Sequence, residues 1–392
     1  MATRSPLEKR IRRRVSGRDH LFFAVCPPGL KNLCAKELQA LETSHARAGI
    51  QPGGIEFSSR TDQAMHANLT LRTPVRILMR LGSFTARSFS ALEQKIQAID
   101  WEVFLPENSN VRIDVTTRKS KLFHSDAIAQ RVSQSIARHL ADHFEPSLKP
   151  AAGHTLFVRA ENDRFTLSLD TTGMPLYKRG LKKKVTQAPL RENIASALLA
   201  WAGYGPDDIL VDPMTGSGTF SLEAAMIRSG APPGFFRSFA FEQLPGYSRK
   251  TFSYLKRQAE DAFKLESGPR IFASDIHADA IAVINENIPE HPLFESIQVE
   301  QGDFFAIRPD RISSAERGIL VLNPPYGQRL VQEHGRQAFY SELNRKLNAD
   351  FKGWRLAILL PSRRDYDLLG LKLSVRRVFH GGMEAAACIG QI

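Results

Sequence analysis

From about residue 190 onward, short apolar runs alternate with stretches whose apolar residues recur at helical spacing, and this alternation most narrows the folds open to the chain. Residues 209–211, 271–274, 319–322 and 355–360 read as strands, and 192–202, 217–228 and 278–287 as helices. Such an order calls for a doubly wound parallel sheet with helices on both faces. A closing pair, 373–379 and 385–389, is expected as an antiparallel hairpin at the sheet edge. Upstream, residues 21–26, 55–57, 75–81 and 111–116 read as strands. Residues 30–41, 62–71, 92–99 and 126–140 read as helices, the last with Ser125 or Asp126 as N-cap. Two alternating runs, 155–160 and 164–169, flank a polar Glu161, Asn162, Asp163 turn and suggest a hairpin. The expected organisation is a basic tail (1–19), an α+β body (20–175), a basic linker (176–188) and an α/β domain (189–392). Gly173, Pro175 and Gly180 mark the boundary.

Charge points to the partner. The 392 residues carry a formal charge of +12, and lysines and arginines that neutralise phosphates release condensed counterions, so a polyanion such as nucleic acid is the natural ligand. An anionic membrane surface would also satisfy the charge. Two clusters stand out: Arg4, Lys9, Arg10, Arg12, Arg13, Arg14 and Arg18, then Lys178, Arg179, Lys182, Lys183 and Lys184. Each reads either as a phosphate-binding surface or as a solvated tail or linker, and the first also has the Arg bias of an organellar transit peptide. No run approaches the ~20 apolar residues of a membrane span and no secretory signal opens the chain, so an intracellular, cytoplasmic protein is expected. Cys26, Cys34 and Cys388 form no pair at metal-binding or redox spacing, so neither a disulfide framework nor a metal is expected.

At the first apolar strand of the α/β half, Asp212, Pro213, Met214, Thr215, Gly216, Ser217, Gly218 and Thr219 lead through a glycine-rich turn into a helix. Alternate glycines allow a ligand to approach the main chain where a Cβ would collide. The third glycine of a dinucleotide fingerprint is missing, its place taken by Ser221, which argues against a dehydrogenase. Asp275 ends the next strand, where α/β proteins receive ribose hydroxyls, and would otherwise cap a helix starting at Ile276. Asp303, beside Phe304, follows a further strand and is placed to accept from an adenine amino group; alone it reads as a turn residue. Together these residues suit a nucleoside bound across successive strand ends.

Asn323, Pro324, Pro325 and Tyr326 follow directly on the strand at 319–322. Two prolines in series remove backbone donors and leave carbonyls free to accept. The Asn323 side-chain oxygen and the Pro324 carbonyl can hold the two hydrogens of one NH2 group, while Tyr326 offers a face on which a base can stack. An exocyclic base amine is a poor nucleophile because its lone pair is delocalised into the ring. Holding its hydrogens out of plane restores nucleophilic character, and alignment with an electrophilic methyl group supplies much of the remaining rate.

These motifs resemble those of class I methyltransferases of the Asn-Pro-Pro-Tyr, amino-methylating group. More narrowly, residues 212–220, Ser274 with Asp275, and residues 323–330 resemble the bacterial large-subunit ribosomal RNA guanine-N2 methyltransferases that carry a THUMP domain. Residues 86–89, 98–101 and 115–122 are similar to the ferredoxin-like plus THUMP region of that family, so the likeness spans about 20–392. It implies a ferredoxin-like/THUMP α+β region followed by a Rossmann-like domain, S-adenosylmethionine as cofactor with S-adenosylhomocysteine as product, and ribosomal RNA as partner. By it, Asp212, Pro213, Thr215, Gly216, Gly218 and Thr219 line the methionine and ribose part, Asp275 the ribose, Asp303 the adenine, and Asn323 to Tyr326 the target base, Asn323 also bordering the cofactor. Thr215 stands where relatives often have Cys, a neutral exchange, and Gln328 where they often have Glu, and the second departure leaves the base less determined. Some relatives carry a second fused methyltransferase, which this chain is expected to lack. An insertion at 231–270 is expected to pack through Phe235, Phe236, Phe239 and Phe241. N6-adenine methylation of DNA or RNA, and a non-catalytic RNA-binding assembly factor, remain as alternatives.

Overall fold

In the computed structural model, residues 5–41, 49–107, 109–143, 152–184, 189–265, 268–309, 317–324 and 335–392 are described. Two seven-stranded sheets organise them. The first is built on β1 (His20–Val25), whose buried Phe22 and Ala24 alternate with residues facing the other side. β1 pairs antiparallel with β3 (Gly54–Ser59) and β4 (Arg76–Thr85), and β2 (Gly49–Gln51) flanks β3. β4 continues onto β7 (Arg164–Asp170), which hairpins with β6 (Ala152–Glu161); β5 (Ser109–Arg118) lies parallel to β6 at the edge. The strands of 20–85 and of 109–170 therefore share one continuous sheet, in the order β2-β3-β1-β4-β7-β6-β5. Helices α2 (Lys31–Ala40), α3 (Thr61–Thr70), α4 (Phe89–Gln97) and α5 (Ser125–His143) accompany it.

The second sheet has the order β10-β9-β8-β11-β12-β14-β13. Its strands are β8 (Leu210–Asp212), β9 (Ile271–Asp275), β10 (Ile297–Gln301), β11 (Ile319–Leu322), β12 (Arg355–Leu360), β13 (Ser374–His380) and β14 (Met383–Gln391). The first five are parallel and the last two form the expected antiparallel edge hairpin. β11 is buried along its whole length because both faces are covered. Ile319 and Val321 pack with α6 (Glu192–Trp201) and α7 (Thr219–Arg228), whereas Leu320 and Leu322 pack with α10 (Arg336–Asp350) and α11 (Arg363–Leu369). Strand order reverses between β8 and β11, and such a switch point opens a crevice at the carboxyl ends of the strands.

Two expectations change, and the packing expected of the 231–270 insertion is found. The amino-terminal basic run is a docked element rather than a solvated tail. Ser5 and Glu8 form a capping box for α1 (Pro6–Ile11), a π-helical turn follows at Arg12–Ser16, and Val15 is buried. Part of its charge is locally answered: Arg10 pairs with Asp100 and Glu102, and Arg14 with Asp100. The basic linker is likewise held in place. Arg179 is buried against Glu223 at 2.7 Å, Lys182 meets Glu192 at 2.9 Å, and Lys184 meets Glu286 at 2.9 Å. The insertion at 231–270 straps the two halves together: the Gly234 N–H donates to Leu69, Phe241 to Thr171, and Arg237 to the carbonyls of Pro175 and Lys178. Phe239, Phe241 and, from α8 (Arg249–Asp261), Phe252 enter the core beneath the first sheet, and Phe235 and Phe236 pack edge to face. All three cysteines are free and buried, as small core residues. Among the described residues no helix is long and apolar enough to cross a membrane.

Candidate active site

β8 ends at Asp212, and the chain turns through 213–218 into α7. The turn needs glycine at Gly218, whose φ is +80° and whose Cβ would lie 2.6 Å from Ile284 Cγ1 of α9 (Ala278–Asn287). Two main-chain bonds brace it, from the Thr215 N–H to Ser274 at 3.0 Å and from the Gly218 N–H to Thr215 at 2.8 Å. Pro213 is buried in its first half.

Asp212 is 1% exposed. Its Oδ2 accepts from the hydroxyls of Thr215 at 2.9 Å and Ser221 at 2.7 Å, while its Oδ1, equally buried, has no hydrogen-bond partner among the described residues. Burial pushes its carboxyl up to about 6; the Ser221 and Thr215 hydroxyls oppose that rise and the neighbouring Asp275 charge adds to it. Thr215 is thereby a second support of the carboxylate. Thr219 faces another way: its buried hydroxyl accepts from Lys182 Nζ at 2.6 Å and lies 3.3 Å from the Leu190 carbonyl. Its hydrogen bonds hold the linker on α7.

Asp275 is the last residue of β9. Its Oδ2 accepts from the Gly216 N–H at 3.0 Å and its Oδ1 from the His277 N–H at 3.1 Å. α9 begins at Ala278, with His277 in the cap position, so Asp275 precedes the helix rather than capping a start at Ile276. Beyond β10, the Gly302 N–H donates to the Asp275 carbonyl at 3.0 Å, and the exposed Asp303 closes a turn by accepting from the Phe305 N–H at 3.0 Å. Asn323 and Pro324 leave β11, the first half-buried and the second buried; Pro325 and Tyr326 lie outside the described residues.

Strand order brings these positions together. β10, β9, β8 and β11 are consecutive neighbours, and Asp303, Asp275, Asp212 and Asn323 stand at or just beyond their carboxyl ends. Four separated stretches of sequence thus form one rim, with three carboxylates and the glycine-rich turn on one side and the amide of Asn323 on the other.

The sequence reading did not single out Glu223, a fully buried carboxylate in the apolar α7. It meets Arg179 at 2.7 Å and, at 3.3 Å, Arg72 from the amino-terminal half, joining the two sheets through one charge. Its signal was a lone acid among apolar residues on a predicted helix. Nor did the reading find that Glu102, His139 and His143 bring their ligand-type atoms within 4.8 Å of one another. There the Glu102 carboxylate already meets Arg10 and, at 2.6 Å, His139.

Residues 179–378 match the family described as the RMKL-like methyltransferase domain; residues 21–78 match the RlmL ferredoxin-like domain and residues 86–170 the THUMP domain. The ribosomal RNA large subunit methyltransferase K/L of Syntrophotalea carbinolica is 31% identical over 385 residues, covering 93% of this chain and 52% of that protein. The chain thus spans about half the length of the K/L relatives. Against the candidate RNA methyltransferase YpsC of Bacillus subtilis it is 28% identical over 370 residues, with 93% of each covered. Among solved structures, SMU.472, described as a candidate methyltransferase complexed with SAH, superposes with a TM-score of 0.85 at 27% identity, over 95% of this chain and 98% of that one.

Proposed function

Because the chain belongs to the RMKL-like methyltransferase family, we propose that it transfers a methyl group from S-adenosylmethionine to the exocyclic N2 amine of a guanine in large-subunit ribosomal RNA. The observation that carries this reading is the alignment of Asp303, Asp275, Asp212 and Asn323 along four adjacent strand ends. The THUMP match and the names of the relatives support RNA as the substrate and, with it, a cytoplasmic location.

The residues present fit the cofactor. The buried, unpartnered Oδ1 of Asp212 suits a cationic group, the Gly216 to Gly218 main chain leaves room for close approach, and Asp275 suits the ribose. When bound, S-adenosylmethionine supplies an electrophilic methyl on its sulfonium. Asn323 and Pro324 hold the amine hydrogens and turn its lone pair toward that methyl, and Tyr326 takes the base that has left its stack. An amide is no base at neutral pH, so Asn323 orients the amine and the released proton passes to water.

Incubating the full chain with methyl-labelled S-adenosylmethionine and ribosomal RNA, then digesting the RNA to nucleosides, tests the reading. Label is expected in N2-methylguanosine. Label in N6-methyladenosine would reassign the base, and no label in any nucleoside would refute methyl transfer to RNA.

A further inference from the structure

A cavity of about 1100 Å3 opens next to the rim just described. Leu322 of β11 pairs with Ile358 of β12, so Pro361, which lines the cavity three residues further on, stands at the same end of the sheet as Asn323 and Pro324. The other walls come from the segment after the THUMP hairpin, the amino end of α6, the insertion, and the turn between β13 and β14. The space exceeds the ~300–1,000 Å3 usual for a small-molecule site, and methionines form two of its lips: Met174 is 57% exposed and Met383 is 70% exposed.

Its charges are unevenly matched. Glu192 is paired with Lys182, and Glu223 with Arg179 and Arg72. Glu384, at the rim, has Arg377 3.8 Å away. Three cations that line the cavity have no carboxylate partner among the described residues; Arg237 is bonded to the main-chain carbonyls of Pro175 and Lys178, which leaves Arg191 and Lys178 unmatched. Arg191 is instead set by an aromatic neighbour, its guanidinium lying 5.0 Å from the centroid of the Tyr177 ring. That contact steers a half-buried cation toward the space without neutralising it. Across the cavity, His380 presents a buried Nδ1 with no hydrogen-bond partner, and burial together with the Arg191 charge keeps its imidazolium disfavoured. A neutral imidazole, two unmatched cations and soft apolar lips suit one unit of a single-stranded polynucleotide: phosphate, sugar and unstacked base.

We propose that this cavity is the subsite for the nucleotide adjoining the methylated one, with its phosphate on Arg191 and Lys178 and its base between Met174, Met383 and His380. The assignment rests on the reading of the chain as an RNA methyltransferase. Tyr177 is a positioning residue, since it acts through Arg191. A strand anchored here lies beside the amine acceptors, so a grip on the neighbour holds the target nucleotide out of its stack.

The test uses the full chain and a fluorescein-labelled oligouridylate of about twelve nucleotides, a length within single-strand site sizes. Arg191→Met is expected to raise its dissociation constant roughly tenfold and to flatten the dependence of log K on log salt by about 0.7, the value for one lost single-strand phosphate contact. Arg191→Lys should restore the salt slope but only part of the affinity. Tyr177→Ala should weaken binding while keeping the slope, which loss of a merely structural contact would not separate. S-adenosylhomocysteine affinity should stay at the wild-type level throughout. Unchanged affinity and slope in an Arg191→Met protein that still binds S-adenosylhomocysteine overturns the proposal. Photo-cross-linking of 4-thiouridine-substituted oligomer to the wild type requires no variant: adducts within 174–191 or 379–385 support the subsite, and adducts confined to 86–170 overturn it. A wild type that cross-links in the cavity yet methylates no RNA would retain the subsite and refute the proposed activity.

Discussion

Asp275 accepts a hydrogen bond from the Gly216 main chain at 3.0 Å, so the carboxylate placed to receive ribose hydroxyls also fixes the turn expected to hold the rest of the cofactor. Asp275→Ala therefore removes the brace together with the proposed ligand contact. Each charge-assisted hydrogen bond contributes roughly 1.5–3 kcal/mol, and the dissociation constant for S-adenosylmethionine should rise at least about tenfold. Asp275→Asn, which keeps one acceptor oxygen, should fall between. Calorimetry on folded variants decides: wild-type affinity in Asp275→Ala would remove this residue from the site.

Asp212 makes a pH prediction. Its carboxyl is pushed up to about 6 in the folded chain, chiefly by burial. Between the ordinary carboxylate value and about 6, the folded state keeps a proton that the unfolded state has released. Ionising Asp212 therefore lowers stability as pH rises through that window. A cationic ligand facing Oδ1 favours the ionised form, so S-adenosylmethionine binding near pH 6 should release protons and weaken below it. Calorimetry in buffers of different ionisation enthalpy measures that release. Asp212→Asn should abolish it, and proton release persisting in that variant would assign the titration elsewhere.

Glu223 links the halves of the chain. Burial alone would push its carboxyl up, but Arg179 and Arg72 pull it below the ordinary range. Glu223→Gln removes the charge that both guanidinium groups answer, and breaking a buried pair in this way costs about 3–5 kcal/mol. Urea denaturation should show that loss. A stability within ~1 kcal/mol of wild type would mean that the insertion strap, rather than this charge cluster, holds the two sheets together.

How far the sequence could be read depended on whether an interaction was local. Ile319 to Leu322 and Arg355 to Leu360 were legible because strands buried on both faces must be continuously apolar. The edge hairpin was legible from alternation in 373–379 and 385–389. Asp275 and Asn323 drew notice because one ends and the other directly follows an apolar strand. The ion pairs of Arg10 and Arg179 were not legible because their partners, Glu102 and Glu223, lie 92 and 44 residues away. A run of basic residues looks the same whether it is solvated or paired. The bond from Lys182 to the Thr219 hydroxyl was hidden likewise, since it spans 37 residues. The shared first sheet was hidden for the same reason, since β4 joins β7 across a long sequence separation.

Asn323 leaves β11 half-buried and next to the rim of strand-end carboxylates. If its side-chain oxygen holds an amine hydrogen while the nitrogen attacks, the contact strengthens as positive charge develops on that nitrogen. An interaction that is stronger in the transition state appears in kcat more than in KM. Asn323→Ala should therefore lower kcat by about 10²–10³, as loss of one preorganised hydrogen-bonding group does at an oxyanion hole. Affinity for S-adenosylhomocysteine and for RNA should change little. Asn323→Asp keeps an acceptor oxygen but adds a charge between Pro324 and that rim, so partial activity in Asp and none in Ala would identify the acceptor as the working group. Single-turnover rates with labelled cofactor separate the chemical step from product release. A folded Asn323→Ala protein that methylates RNA at near wild-type kcat would show that the amine is held by other groups, and the proposed chemistry would have to be abandoned.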